Sequence, residues 1–299
     1  MMYYRRKILL ALLQEFDNRL KKTFLQKLLF LFTREQQVKA YDFVPFKYGC
    51  YSHLSNYDMN VLTKYKIVEE VSERSFNYWV KTDRKDYIAE LNKIDKQILK
   101  KVCSTYKSYS QEELIRHTYV HFPYYASKSQ ILPNILTNAE IRNVTDSTVH
   151  FSENFFFTIG YEGKSLDYYL NQLVISDVRL LIDVRKNPIS MKWGFSKSQL
   201  RPACESLGIK YIHIPELGIE SEDRKNLKSI EDYKLLFTQY EFSVQKDYNG
   251  YLYKIIEEIK TNRRVAIGCF ECNPEMCHRG KVAELLSRLP EWNYSIKHL

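Results

Sequence analysis

The chain has 299 residues, 44% of them hydrophobic, with nine glycines and a formal net charge of +9. That length is too great for one small core and carries no compositional signal of disorder, so two globular domains are expected. Apolar runs such as residues 28–32 and 155–159 are far shorter than the roughly 20 residues needed to cross a bilayer.

Arg5, Arg6 and Lys7 precede an apolar stretch, but Gln14, Glu15 and Asp17 interrupt it and no small-residue cleavage site follows; a cytoplasmic protein is expected. Six cysteines, three of them within nine residues, fit reduced thiols better than a secreted disulfide framework. The charge is uneven: residues 1–150 hold 24 Lys+Arg against 16 Asp+Glu, and the remainder 21 against 20. A basic surplus confined to the first half suggests a footprint for nucleic acid or another polyanion.

Residues 3–16 show a helical stripe of Ile8, Leu9, Leu12, Leu13 and Phe16, and residues 22–34 a second one. The segment 43–52 breaks the pattern with Pro45 and Gly49. Ser52 or Ser55 can cap a third helix, roughly residues 56–65, which leads into two β-rich runs, 67–71 and 76–80, joined as a hairpin. Helices followed by a hairpin is the order of a winged helix-turn-helix. On that reading Lys47, Lys64, Lys66 and Arg74 are the nucleic-acid-binding residues, positioning a duplex through its phosphates.

A long helix is expected over residues 84–106. Another starts at the Ser110-Gln111-Glu112-Glu113 capping box. His117 and His121 have the spacing of a two-histidine metal face, but no third ligand has recognisable spacing, so no metal is assigned there. This first half loosely resembles the Panacea-type antitoxin domains and related winged-helix modules. The residues that carry the resemblance are 25–31, the turn 45–52, and 121–129. Residues 130–153 turn polar and lose their period; residues 1–130 are therefore read as the winged-helix-like domain, 131–153 as a linker and 154–299 as a second domain.

The second domain alternates strands (155–160, 179–184, 210–214, 265–269) with helices (165–174, 196–207, 230–245, 251–260, 277–289), ending in a strand-like 294–298. The expected fold class is α/β, a Rossmann-like parallel sheet with helices on both faces. Ligands then bind beyond the carboxyl ends of the strands. That rule should gather Tyr161, Glu162, Asp183, Arg185, Glu216, Cys269 and Glu271 in one crevice.

Arg185 and Arg279 are candidate anion forks, with Lys192 or Arg201 assisting. His278 and Tyr161 complete the anion-binding set. Glu271 and Asp183 form a candidate acid/base pair, the alternative being a structural ion pair such as Asp183 with Arg279. Cys277, at a helix N-terminus beside His278 and Arg279, is a candidate nucleophile, and Cys269 a second candidate catalytic thiol or a packed core cysteine. Cys269-x-x-Cys272 with Cys277 and His278 has the residue types of a zinc site, but the spacing is cramped; no metal and no cofactor are assigned.

Residues from about 156 to 298 resemble the bacterial and archaeal family known as domain of unknown function 488. The resemblance rests on 158–163 (Thr-Ile-Gly-Tyr-Glu-Gly), 181–190 (Leu-Ile-Asp-Val-Arg-Lys-Asn-Pro-Ile-Ser), 208–213, Leu217-Gly218, and Cys269-Phe270-Glu271 through Cys277-His278-Arg279. It implies a site at the first Cys, the Glu two after it and the Cys-His-Arg triplet, and a setting in DNA repair, modification or phage defence.

The expectation is a nucleic-acid-associated protein, a DNA-directed hydrolase or lyase acting on a phosphate-bearing or modified-base substrate. The alternatives are a non-catalytic DNA-binding regulator whose cleft senses a small anion, and an antitoxin-like protein-binding module. The expected partner is DNA or another nucleic acid, without a membrane; a homodimer and a protein partner stay open.

Overall fold

The N-terminal apolar stripe becomes α1 (Tyr4–Glu15), in which residues 8–13 are all buried. The computed structural model describes residues 2–148, 150–220, 222–224, 227 and 229–299. These divide into two units, Met1–Thr148 and Val149–Leu299.

In the first unit a short strand β1 (Arg19–Lys21) runs directly into α2 (Lys22–Glu35). Strands β2 (Val44–Phe46) and β3 (Gly49–Tyr51) pair as an antiparallel ribbon. Helix α3 (His53–Lys64) follows, capped by Ser52, whose hydroxyl accepts from the Ser55 N–H. Then β4 (Val68–Glu73) and β5 (Phe76–Lys81) form the expected hairpin. β1 adds to the free edge of β5, giving the antiparallel order β1-β5-β4 with buried Leu20 opposite buried Trp79.

Asp58, on the inner face of α3, ties this core to α1. Its carboxylate has no exposed surface and accepts from Arg5 Nε at 2.6 Å, Arg6 Nε at 2.7 Å and the Tyr41 hydroxyl at 3.0 Å.

Helix α4 (Lys93–Tyr106) starts later than its periodicity suggests. The Asn92 side chain accepts from the Asp95 N–H at 2.7 Å and fixes the start there, while Tyr87 and Leu91 are buried from the irregular segment before it. Helix α5 (Gln111–His121) has the expected capping box, and α6 (Pro123–Ala126) follows.

The segment expected to be linker instead carries α7 (Leu132–Ile135) and α8 (Asn138–Asp146). A Thr137/Glu140 capping box starts α8. Arg116 of α5 donates to Glu140 and to the Ile135 carbonyl, and Leu136 and Val144 pack with Ile115, Tyr119 and Ala126. Buried Val144, with partly buried Ile141 beside it, was enough to dock a helix too polar to show a sustained period.

The second unit alternates as expected: β6 (Phe155–Gly160), α9 (Leu166–Ile175), β7 (Leu180–Asp183), α10 (Lys197–Ser206), β8 (Lys210–His213), α11 (Ile230–Asp247), α12 (Asn249–Asn262), β9 (Arg264–Cys269), α13 (His278–Ser287) and β10 (Ser295–His298). The five strands form one wholly parallel sheet in the order β10-β6-β9-β7-β8. β6 and β9 are buried nearly end to end, as strands covered on both faces must be.

Because β9 lies between β6 and β7, the loops leaving β6 and β7 flank the end of β9. The side on which successive strands are added reverses around that point, where such sheets place their ligands. No helix among the described residues is long and apolar enough to cross a membrane.

Candidate functional site

The loop after β9 is held down by close backbone approaches. A Cβ at Gly160 would lie 1.8 Å from the Glu271 carbonyl oxygen, and one at Gly280 would lie 2.1 Å from the Pro274 carbonyl oxygen. Only glycine at these two positions lets residues 270–277 fold back over the end of β6 and the start of α13. Pairing continues past the strand ends: the Glu162 N–H donates to the Phe270 carbonyl at 2.8 Å, and the Cys272 N–H to Glu162 Oε2 at 2.9 Å. Arg279, 1% exposed, completes the clamp by donating to the carbonyls of Glu271 and Cys272.

Both arginines expected to grip an anion are therefore engaged internally. Arg279 faces backbone carbonyls. Arg185, 6% exposed, donates through Nε to Asp183 Oδ1 at 2.8 Å, through Nη2 to Asp183 Oδ2 at 2.6 Å, and through Nη1 to the Tyr161 hydroxyl at 3.1 Å. Tyr161 is 5% exposed and stacks on Phe195, so its hydroxyl too belongs to this network.

Asp183 differs from the expected acid/base role. Besides the Arg185 fork it accepts from the Arg185 backbone N–H at 3.1 Å and from the Tyr211 hydroxyl, and it is 1% exposed. It closes the end of the sheet as a structural ion pair, with Arg185 rather than Arg279 as partner. Arg201 sits on α10 in an exposed pair with Glu205. Glu216 is elsewhere, in a 560 Å³ cavity with Lys186, Glu220 and Tyr240.

Four of the expected residues do converge. One donor atom from each of Cys269, Glu271, Cys277 and His278 can be chosen so that all lie within 4.8 Å of one another. Cys269 Sγ is 3.4 Å from Glu271 Oε2 and 3.7 Å from His278 Nδ1. His278 Nε2 is 2.8 Å from the Val184 carbonyl. A carbonyl can only accept, so Nε2, itself also 3.7 Å from Cys269 Sγ, carries the hydrogen, and Nδ1 is the nitrogen left with a lone pair.

His278 is thus turned away from the anion-binding role expected of it. Cys277 has no exposed surface, and burial pushes its thiol well above the ordinary range, with Cys269 raising it further and His278 opposing. An attacking Cys277 thiolate has neither access nor a favoured charge, which corrects that assignment. Glu271 is the half-buried member and stands on the solvent side of three buried ones. Cys272, the second cysteine of the C-x-x-C spacing, is exposed and outside the cluster.

Positive charge at the rim comes from lysines. Lys192 Nζ donates to the Tyr161 carbonyl at 3.1 Å and Lys164 Nζ to the Leu299 carbonyl at 3.0 Å. Burial lowers the pKa of both amines; at Lys164 the Arg279 charge adds to this, while Cys272 works against it. Lys164 is absent from the sequence expectations. Its place in the Gly163-Lys164-Ser165 loop directly after β6 was the signal that could have shown it. Phe270 is 43% exposed next to Glu271 and meets the Tyr161 ring edge-on at 5.2 Å.

Residues 165–286 match the family model described as domain of unknown function DUF488. The match takes in Asp183, Arg185 and the whole Cys269–Arg279 stretch, but leaves out the Thr158–Gly163 stretch and β10. The DUF488 region thus holds all four clustered side chains. No curated protein is significantly similar to the chain.

In the first unit Lys47, Lys64, Lys66 and Arg74 are all exposed, on the β2–β3 turn, at the end of α3, just after it, and at the β4–β5 tip. The hairpin is not simply basic. Glu69, Glu70 and Glu73 lie on β4, with Glu70 paired to Lys22 and Glu73 to Arg19. His117 and His121 stack on each other at 4.1 Å, and His117 Nε2 is 3.0 Å from the Tyr106 hydroxyl.

Proposed function

We propose that this is a nucleic-acid-associated hydrolase or lyase acting on a phosphate-bearing or modified-base substrate. The observation that carries the reading is the half-buried Glu271 set over buried Cys269, Cys277 and His278 at the switch point of a parallel sheet. Glu271 serves as general base towards an attacking water. Lys164 and Lys192, both partly desolvated, meet phosphate as point charges, and the exposed Phe270 ring offers a face for a base to stack on.

The first unit supplies the nucleic-acid contact as a winged helix. Support comes from the β1-β5-β4 sheet behind α3 and from the basic balance of residues 1–150. The acidic residues of β4 concentrate phosphate contacts on Lys64 and Lys66, at the end of α3, rather than along the hairpin.

The test is incubation of the purified full chain with duplex and single-stranded DNA, plain and base-modified, over a salt series. Mobility shift and strand or base loss are both read. Glu271→Gln should abolish product while leaving binding unchanged; full turnover in that variant removes the catalytic assignment. One rival is a regulator whose cleft, with Lys164 and Lys192 at its rim, senses a small anion. Salt-dependent binding without product from any of these DNAs would select it.

A further inference from the structure

A half-buried carboxylate beside two buried thiols and an imidazole is a donor set as well as a catalytic one. In a tetrahedral zinc site, metal–sulfur bonds of about 2.3 Å and metal–nitrogen bonds of about 2.0–2.1 Å place neighbouring ligand atoms about 3.5–3.8 Å apart. Cys269 Sγ and His278 Nδ1 are 3.7 Å apart, and no donor pair in the cluster exceeds 4.8 Å, so an ion fits with a contraction of about 1 Å at most.

The imidazole is also held in the tautomer of a ligand. Metal-bound histidines commonly donate their other ring N–H to a carbonyl or carboxylate, which fixes the tautomer. His278 does so to Val184 O at 2.8 Å. The loop that brings the donors together is held by Arg279 on the carbonyls of Glu271 and Cys272 and by the close approaches at Gly160 and Gly280. Such a frame keeps donor positions set in advance.

We propose that Cys269, Cys277 and His278 hold a zinc ion, with Glu271 beside an open fourth position facing solvent. Two soft sulfurs and an imidazole select zinc over magnesium or calcium. Three protein ligands with one open position is the arrangement of a catalytic rather than a structural zinc.

This deepens the hydrolytic reading above and rests on it for the chemistry. A water in the open position gives one proton to Glu271, and the resulting hydroxide bonds to the electrophilic phosphorus or carbon of the substrate. The bond to the leaving group breaks, and the proton held by Glu271 passes to that group. No oxidant or reductant enters. The spacing that argued against zinc from the sequence counted Cys272, whereas the structure substitutes Glu271 as the nearby fourth group.

The experiment measures metal by mass spectrometry in the full chain, purified under reducing conditions without chelator, then repeats after removal and reloading with cobalt(II). About one zinc per chain is expected, along with the thiolate-to-cobalt charge-transfer band and visible bands of a tetrahedral site. Cys269→Ser and Cys277→Ser should each lose the metal, whereas Cys272→Ser and Glu271→Gln keep it. Should the serine variants fail to fold, the cobalt spectrum of the unaltered protein still decides.

Folded, reduced protein that holds no zinc and gives no thiolate–cobalt band overturns the proposal, as does a Cys277→Ser variant with full metal. Loss of zinc from Glu271→Gln would make Glu271 a ligand and overturn the open position. Zinc bound with no turnover on any DNA refutes the hydrolytic reading alone; turnover by metal-free protein refutes the zinc site alone.

Discussion

Replacing Asp183 with Asn separates a structural carboxylate from a catalytic one. Asn keeps the shape of the side chain and removes its charge, but the amide has no good orientation. Oδ1 receives the Arg185 N–H and Nε–H, and Oδ2 receives the Arg185 Nη2–H and the Tyr211 hydroxyl. Whichever way the amide turns, its NH2 group faces a guanidinium donor.

The Asp183 and Arg185 side chains are only 2% and 7% exposed, so water cannot replace the lost partner. Breaking such a buried pair costs about 3–5 kcal/mol, and at about 2–4 °C per kcal/mol for a domain of this size the melting transition of the second unit should fall by about 6–20 °C. Thermal scans of the full chain by circular dichroism, with Glu271→Gln as a variant expected to melt like the unaltered protein, provide the measurement. An Asp183→Asn protein that melts normally yet has lost turnover would refute this and return Asp183 to the chemistry.

In the first unit, Asp58→Ala strands Arg5 and Arg6 against the core. Because their side chains remain 28% and 11% exposed they can partly rehydrate, so the loss should sit near the low end, about 3 kcal/mol or about 6–12 °C in that unit's transition. The same scans would show it, and an unmoved transition would mean the clamp contributes nothing net. Glu140 is held down to about 2 by the Thr137 N–H and then by Arg116. Its folded value lies below its ordinary 4.5, so its contribution to stability is complete above pH 4.5 and disappears as the pH falls towards 2. Glu140→Gln should therefore lower stability to denaturant above that window and make no difference below it; an equal difference at both ends would show that charge is not the cause.

The parallel sheet was legible because strands covered on both faces read as unbroken apolar runs, as in residues 155–160 and 264–269. Cys269, Glu271, Cys277 and His278 were each singled out on one short stretch, and it was the family resemblance that implied one site for them. What was not legible were partners set by strand order. Nothing local says that β9 lies between β6 and β7, so the choice of Arg185 rather than Arg279 for Asp183 was open. The spacing of two between Asp183 and Arg185, which puts both on one side of an extended chain, was the available hint.

β1 is too short to show alternation, and α8 too polar to show a period, although its Thr-x-x-Glu box was present. Asp58 does carry a signal in the sequence: a lone carboxylate in the Ser55, Met59, Leu62 stripe of α3 must find a cation when buried.

The internal engagement of both arginines bears on what the site can recognise. A guanidinium fork matches carboxylate or phosphate in one plane and imposes geometry on its ligand, while an ammonium is a point charge that accepts many approaches. With Arg185 holding Asp183 and Arg279 holding the 271–272 carbonyls, the rim is left with Lys164 and Lys192. Orientation of a substrate must then come from elsewhere, and the rigid groups on hand are the exposed Phe270 ring and the Glu271 carboxylate beside it. A ligand carrying both a diffuse anionic part and a flat ring satisfies those constraints together, which a simple phosphate ester does not.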